Sequence, residues 1–143
     1  MCTSRVNHSK IKVEENKRKA IFNNPSRQDY EVSKVDGCLI TNGIRCDNLV
    51  SRCDDLSVLV ELKGGDVGHA CDQLFQAVKD ANVTPLLKGK AGFLVICSKY
   101  PRFDSFVRRA KERAAKEYKA GFHVVCNKGE FDIDRVVAID GPF

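Results

Sequence analysis

The hydrophobic period of this chain changes at Gly64-Gly65, and few folds accommodate what stands on either side of that change. Upstream, Leu56 to Lys63 is a short apolar run rich in β-branched residues, the signature of a strand. Downstream, Val67, Ala70, Cys71, Leu74, Phe75, Val78 and Ala81 recur at the three- and four-residue spacing of one helix face, with Asp66 available as N-cap. After the breakers Pro85 and Gly89, Ala91 to Ser98 is a continuous apolar run of strand length. Its lack of alternation predicts burial on both faces and a central place in a sheet.

The same reading extends in both directions. Tyr30 to Ile40 is predicted as a strand ending at the turn residues Thr41-Asn42-Gly43. Ile44 to Val50 and Leu56 to Lys63 form a hairpin across the polar connection Ser51 to Asp55. Pro101 opens a second helix with Phe103, Phe106, Val107, Ala110, Ala114 and Tyr118 on one stripe, closed by Gly121. Phe122 to Cys126 is the next strand, and Gly129 marks a further turn. The first 20 residues, polar and basic, are expected to form a short helix leading to Ile21-Phe22, before the turn signal Asn23-Asn24-Pro25-Ser26. The outcome is a mixed sheet flanked by helices, an α/β (α+β) fold of order βββαβαβ behind an N-terminal helix. At 143 residues it is expected to be one domain spanning 1–143, with 1–20 as a basic N-terminal segment.

Composition removes several classes. No apolar stretch approaches the roughly 18 residues of a membrane span, so no membrane partner is expected. The 24 Lys and Arg against 19 Asp and Glu give a net charge of +5, which favours a polyanionic partner but is far from histone-like. Seven cysteines include no C-x-x-C pair, and the start has no secretory pattern, so free thiols in a cytoplasmic setting are expected. Cys38, Cys46 and Cys97 sit in apolar runs and read as small core residues, not zinc ligands.

The hairpin carries the chemistry. With its connection centred near Asp54, Asp47 faces Glu61 and Arg45 faces Lys63. Opposed residues of an antiparallel pair have Cβ atoms roughly 4.5–5.5 Å apart, close enough for two carboxylates to share one hard cation such as Mg²⁺. Alternation puts Glu61 and Lys63 on one face and Val58, Val60 and Leu62 on the other. Two carboxylates on a divalent ion with an ammonium alongside suit phosphodiester hydrolysis. An E-x-K triplet is by itself commonplace and usually solvated. Here it ends an apolar strand, has a register-matched Asp upstream and precedes Gly-Gly and a helix.

These residues resemble the PD-(D/E)xK nuclease superfamily, whose restriction-endonuclease-like core runs αβββαβ; this chain would add a C-terminal helix and strand. The resemblance covers about residues 10–100 and rests on V-D-G-C at Val35 to Cys38, R-C-D at Arg45 to Asp47, V-E-L-K-G at Val60 to Gly64 and H-A-C-D-Q-L at His69 to Leu74. It implies Asp47, Glu61 and the backbone carbonyl of Leu62 as Mg²⁺ ligands, with Mn²⁺ able to substitute, and Lys63 as the catalytic lysine. It further implies an acid from the first helix, Glu15 ahead of Glu14, and a helix glutamine, Gln73. Cys46 stands where the family commonly has a proline. The implied activity is a Mg²⁺-dependent endonuclease, with DNA favoured over RNA. The rival readings are an RNase, including a toxin-like enzyme cutting transfer RNA, and a catalytically silent nucleic-acid-binding module.

Gln73 lies roughly 60° outside the apolar stripe at Ala70, so it can face the site or water. His69 reads as a surface histidine, and Asp36 either supports the site or enters a bulge. On the second helix Arg108, Arg109, Lys111 and Lys116 offer a phosphate-tracking face, balanced against an ordinary solvated surface with pairs such as Glu112 and Lys116. A core this small has little surface for reading long sites, which points to weak sequence preference or to a partner protein or symmetric homodimer.

Overall fold

The computed structural model describes residues 2–15, 18–40, 46–53, 55–63, 66–98, 105–126 and 128–143, without the side chains of Lys63 and Lys128. Nine strands and three α-helices are found among them. The larger sheet has six strands in the order β1-β4-β5-β6-β7-β8: β1 (Thr3–Val6), β4 (Tyr30–Lys34), β5 (Asn48–Arg52), β6 (Leu56–Lys63), β7 (Lys90–Cys97) and β8 (Gly121–Cys126). The first three joints are antiparallel and the last two parallel. Helix α1 (Val67–Lys79) links β6 to β7, and α2 (Ser105–Arg113), prolonged by a π-helical turn over Ala114–Tyr118, links β7 to β8. A second sheet holds β2 (Lys10–Glu15), β3 (Arg18–Asn23) and β9 (Lys128–Phe131), and α3 (Ile133–Val137) follows it.

From β4 to β8 the order is the expected βββαβαβ. Both faces of the larger sheet are covered, and alternation sorts the side chains. Leu49, Leu59, Phe93, Val95 and Phe122 pack under α1 and α2, while Val50, Val58, Val60, Leu94 and Ile96 pack against the smaller sheet and α3. β7 is interior and buried throughout its second half, as its unbroken apolar run predicts. Asp66 caps α1, its Oδ1 accepting the His69 amide at 2.9 Å.

Several expectations need correction. Residues 1–20 form no helix among those described; they supply β1, β2 and the start of β3. In β2, Ile11 and Val13 are buried and Lys10, Lys12 and Glu14 exposed, a period of two that charged neighbours disguise. The strand from Tyr30 stops at Lys34 and turns through 35–40, with Gly37 at φ +78°. β5 starts at Asn48, and the Thr41-Asn42-Gly43 turn, Ile44 and Arg45 lie outside the described residues. So do Pro101 and Phe103. α2 with its π turn ends at Lys119, in the left-handed region, and Gly121 opens β8. Phe106 is 59% exposed instead of joining the buried stripe. The face of β6 bearing Glu61 is apolar core as well, not a charged side. β9 and α3 had no counterpart in the reading. Finally, Cys2 and Cys38 form a disulfide, so only Cys46, Cys53, Cys71, Cys97 and Cys126 are free thiols. No described helix is long and apolar enough to cross a membrane.

Candidate active site

The hairpin register is the expected one over its length: Asn48 pairs with Val60, Leu49 with Leu59 and Val50 with Val58. It changes at the residue that matters most. The Asp47 amide donates to the Val60 carbonyl at 3.2 Å, so Asp47 and Asn48 both oppose Val60, the count of a β-bulge. The Leu62 amide, which the ladder would next pair with backbone, donates instead to Asp47 Oδ2 at 2.7 Å. In a strand the N–H and C=O of one residue leave the same edge, so the Leu62 carbonyl is on the Asp47 edge of β6. Asp47 is thus fixed by its neighbour strand but stands one step off the square pairing with Glu61.

The bulge brings Asp47 to the side of β2. Glu15 continues the inward face of Ile11 and Val13, but it lies past the edge of the core, where its carboxyl hydrogen-bonds to Asp47. That contact and the Asp47 charge hold the Glu15 pKa above its usual 4.5; desolvation and Asp36 push the same way, and Lys34 opposes them. The cleft around them measures about 300 Å³ and is lined by Lys12, Glu15, Lys34, Asp36, Asp47 and Asn48, among others. Glu14 also touches it, but pairs with Lys12 at 3.8 Å, leaving Glu15 as the acid that reaches Asp47. Glu15, expected on a helix, is carried by strand β2.

Glu61 is buried, 3% exposed, on the α1 side of β6. Cys46 lies between the acids: burial first, then the charges of Glu61, Asp47 and Asp36, push its thiol well above the usual range, so it stays protonated and is no nucleophile. Leu62 is buried among the apolar residues facing the smaller sheet. The backbone of Lys63 ends β6 opposite Cys97, and its side chain lies outside the described residues. Gln73 is half-buried on α1, the helix packed over β6 and β7, and His69 is exposed. Asp36 bridges to Ile40 in the turn after β4.

No family model matches the chain, and no curated protein or solved structure is similar to it. The residues alone must therefore carry the reading. No group of three or more His, Cys, Asp and Glu that could hold a metal is found among the described residues. What the cleft does hold is Glu15 and Asp47 side by side, close enough for Asp47 to raise the Glu15 pKa, an arrangement that a proton or a cation would stabilise. Their donors are hard oxygens, and Mg²⁺ typically takes one or two carboxylates and completes its shell with water and phosphate. The residues present fit that ion.

Arg108, Arg109, Lys111 and Lys116 are all exposed on α2 and its π turn, apart from the acid cleft. The ion pair found on this surface is Arg113 with Glu117 at 2.9 Å. Two groups escaped the sequence reading. Lys34 lines the acid cleft, and its place two residues before Asp36 was the available signal. Phe106 is the exposed aromatic among the α2 arginines, hidden by its apparent membership of an apolar stripe.

Proposed function

We propose that this chain is a small Mg²⁺-dependent nuclease that hydrolyses phosphodiester bonds, DNA in preference to RNA. The supporting observation is the contact between Glu15 and Asp47 at a cleft that also presents Lys12 and Lys34. Asp47 and Glu15 are the groups of the cleft that would hold the cation, and to them the resemblance adds Glu61 and the Leu62 carbonyl; bound there, the cation would supply Lewis-acid activation of a phosphoryl oxygen and of water. Asp47 is oriented for this by the Leu62 amide. A cation held there would compete with the proton that Asp47 favours on Glu15. Lys34, whose charge already acts on Glu15, and Lys63 offset the charge that builds up on phosphorus.

The test is cleavage of supercoiled, linear and single-stranded DNA and of an RNA pool containing transfer RNA, in Mg²⁺, in Mn²⁺ and in EDTA. Metal-dependent cleavage is expected. Asp47→Asn keeps an acceptor for the Leu62 amide while removing the charge, and it should lose roughly 10²–10⁴-fold in rate; Glu61→Gln and Lys63→Ala should be similarly impaired. Variants as active as wild type would sink the proposal.

A second reading is a binding module without turnover, favoured by one observation: Asp47 Oδ2 already accepts a backbone amide and so does structural work. Salt-sensitive binding in EDTA, with no substrate cleaved in either metal, would select it.

A further inference from the structure

A groove of about 340 Å³ runs between α1 and α2, apart from the acid cleft, walled by Gly68, Asp72 and Phe75 on one side and Phe106, Arg109 and Arg113 on the other. Its aromatic rim is the unexpected part. Val107 and Ala110 give α2 its buried face, yet Phe106 next to them is 59% exposed. The Phe106 ring is held against the first turn of α1, where its Cγ lies 3.7 Å from the point a Gly68 side chain would occupy. The glycine keeps that flank of the ring open. The Arg109 guanidinium is 5.3 Å from the Phe106 ring centre, and that of Arg113 is 4.2 Å from Phe75.

An exposed ring with one guanidinium beside it and a second over the neighbouring Phe75 matches a flat base joined to phosphate: the base stacks on the exposed ring and the cations take the backbone. A duplex would use the arginines but leave the ring in water, because its bases already stack on one another. A second copy of the chain is a poor match. A symmetric pairing through this face would set Arg109 and Arg113 against themselves, with Asp72 the acid among the lining residues. The volume is also at the small end of ligand sites, suited to a nucleotide and not to a protein element.

We propose that this groove binds single-stranded nucleic acid, stacking one unpaired base on Phe106 while Arg109 and Arg113, which line it, hold the flanking phosphates. The inference rests on the nucleic-acid part of the proposed function and not on cleavage.

Binding is measured in EDTA by fluorescence anisotropy, with labelled oligothymidylate, oligouridylate and a blunt DNA duplex as probes. Wild type should hold the single strands more tightly than the duplex. Phe106→Ala should weaken single-strand binding about 5- to 100-fold and Phe106→Tyr restore it. Gly68→Leu, which fills the groove without changing charge, should weaken it as well, with circular dichroism melts showing both variants folded. Three results overturn the inference: Phe106→Ala binding like wild type, the duplex held as tightly as the single strands, or a dimer in sedimentation that Phe106→Ala dissolves. Phe106-independent binding alongside Asp47-dependent cleavage removes the groove and leaves the nuclease. Phe106-dependent binding with no cleavage in any metal does the reverse. No binding of any probe removes the groove, and the nuclease then stands or falls on metal-dependent cleavage.

Discussion

Glu15 and Asp47 meet because each is the last residue of a pattern carried one step too far for the core. Glu15 follows Ile11 and Val13 past the edge of the apolar layer, and Asp47 sits at the bulge that ends the β5–β6 ladder. The consequence is a definite pH dependence. Glu15 keeps its proton above 4.5 in the native state, so between that value and its native pKa the folded protein binds more protons than the unfolded one. Stability contributed by this group is complete at lower pH and is lost as pH rises through that window. Glu15→Gln can still donate to Asp47 but carries no charge. It should flatten the loss and raise stability at neutral pH by about 0.2–1 kcal/mol, the size of an exposed charge pair. Urea denaturation across the acid-to-neutral range, with and without Mg²⁺, checks both halves: added Mg²⁺ should stabilise wild type more than the variant.

At the scale of elements, two glycines give opposite expectations. Gly68 is in the first turn of α1, and an added methyl would meet only ordinary contacts at 3.6–3.8 Å. Gly68→Ala should therefore gain up to about 1 kcal/mol from helix propensity. Gly89 has φ +57°, and a Cβ there would fall 2.0 Å from the Asp55 carbonyl, where the β5–β6 hairpin loop meets the start of β7. Gly89→Ala should lose more than about 1 kcal/mol; paired thermal melts decide both. The elements legible from sequence were those whose burial is written in their own period. β6, α1 and β7 show it because each is mostly apolar on the faces it buries. β2 and β3 hid theirs: Ile11, Val13, Ala20 and Phe22 alternate correctly, but Glu14, Glu15, Arg18 and Lys19 between them look like the polar face of a helix. Glu15 and Asp47, which line the acid cleft, were named from the sequence, but the geometry that sets them there was not. Opposed strands predict a square Asp47–Glu61 pair, whereas a bulge depends on where the ladder can end, which no local spacing encodes.

For the molecule as a whole, a disulfide and a charged helix set the measurable behaviour. Cys2–Cys38 closes a loop across 36 positions and ties β1 to the turn that carries Asp36. Reduction, or Cys38→Ser, should lower unfolding free energy by about 2–4 kcal/mol, read by denaturation with and without a dithiol reductant. If Arg108, Arg109, Lys111 and Lys116 each neutralise one phosphate, the logarithm of single-strand affinity should fall with the logarithm of salt at a slope of roughly −3. Arg109→Ala should make that slope shallower by about 0.7.

The parallel pairing of β3 with β9 brings Lys19 beside Lys128 and Phe22 beside Phe131, closing the smaller sheet between opposite ends of the chain. The β2–β3 ribbon that carries Glu15 is a local hairpin, but its third neighbour, β9, comes from far along the sequence. A contact of such long range pays its loop-closure entropy late. The sheet that carries Glu15 is thus completed by a strand so distant in the chain that its closure depends on the folding of what lies between.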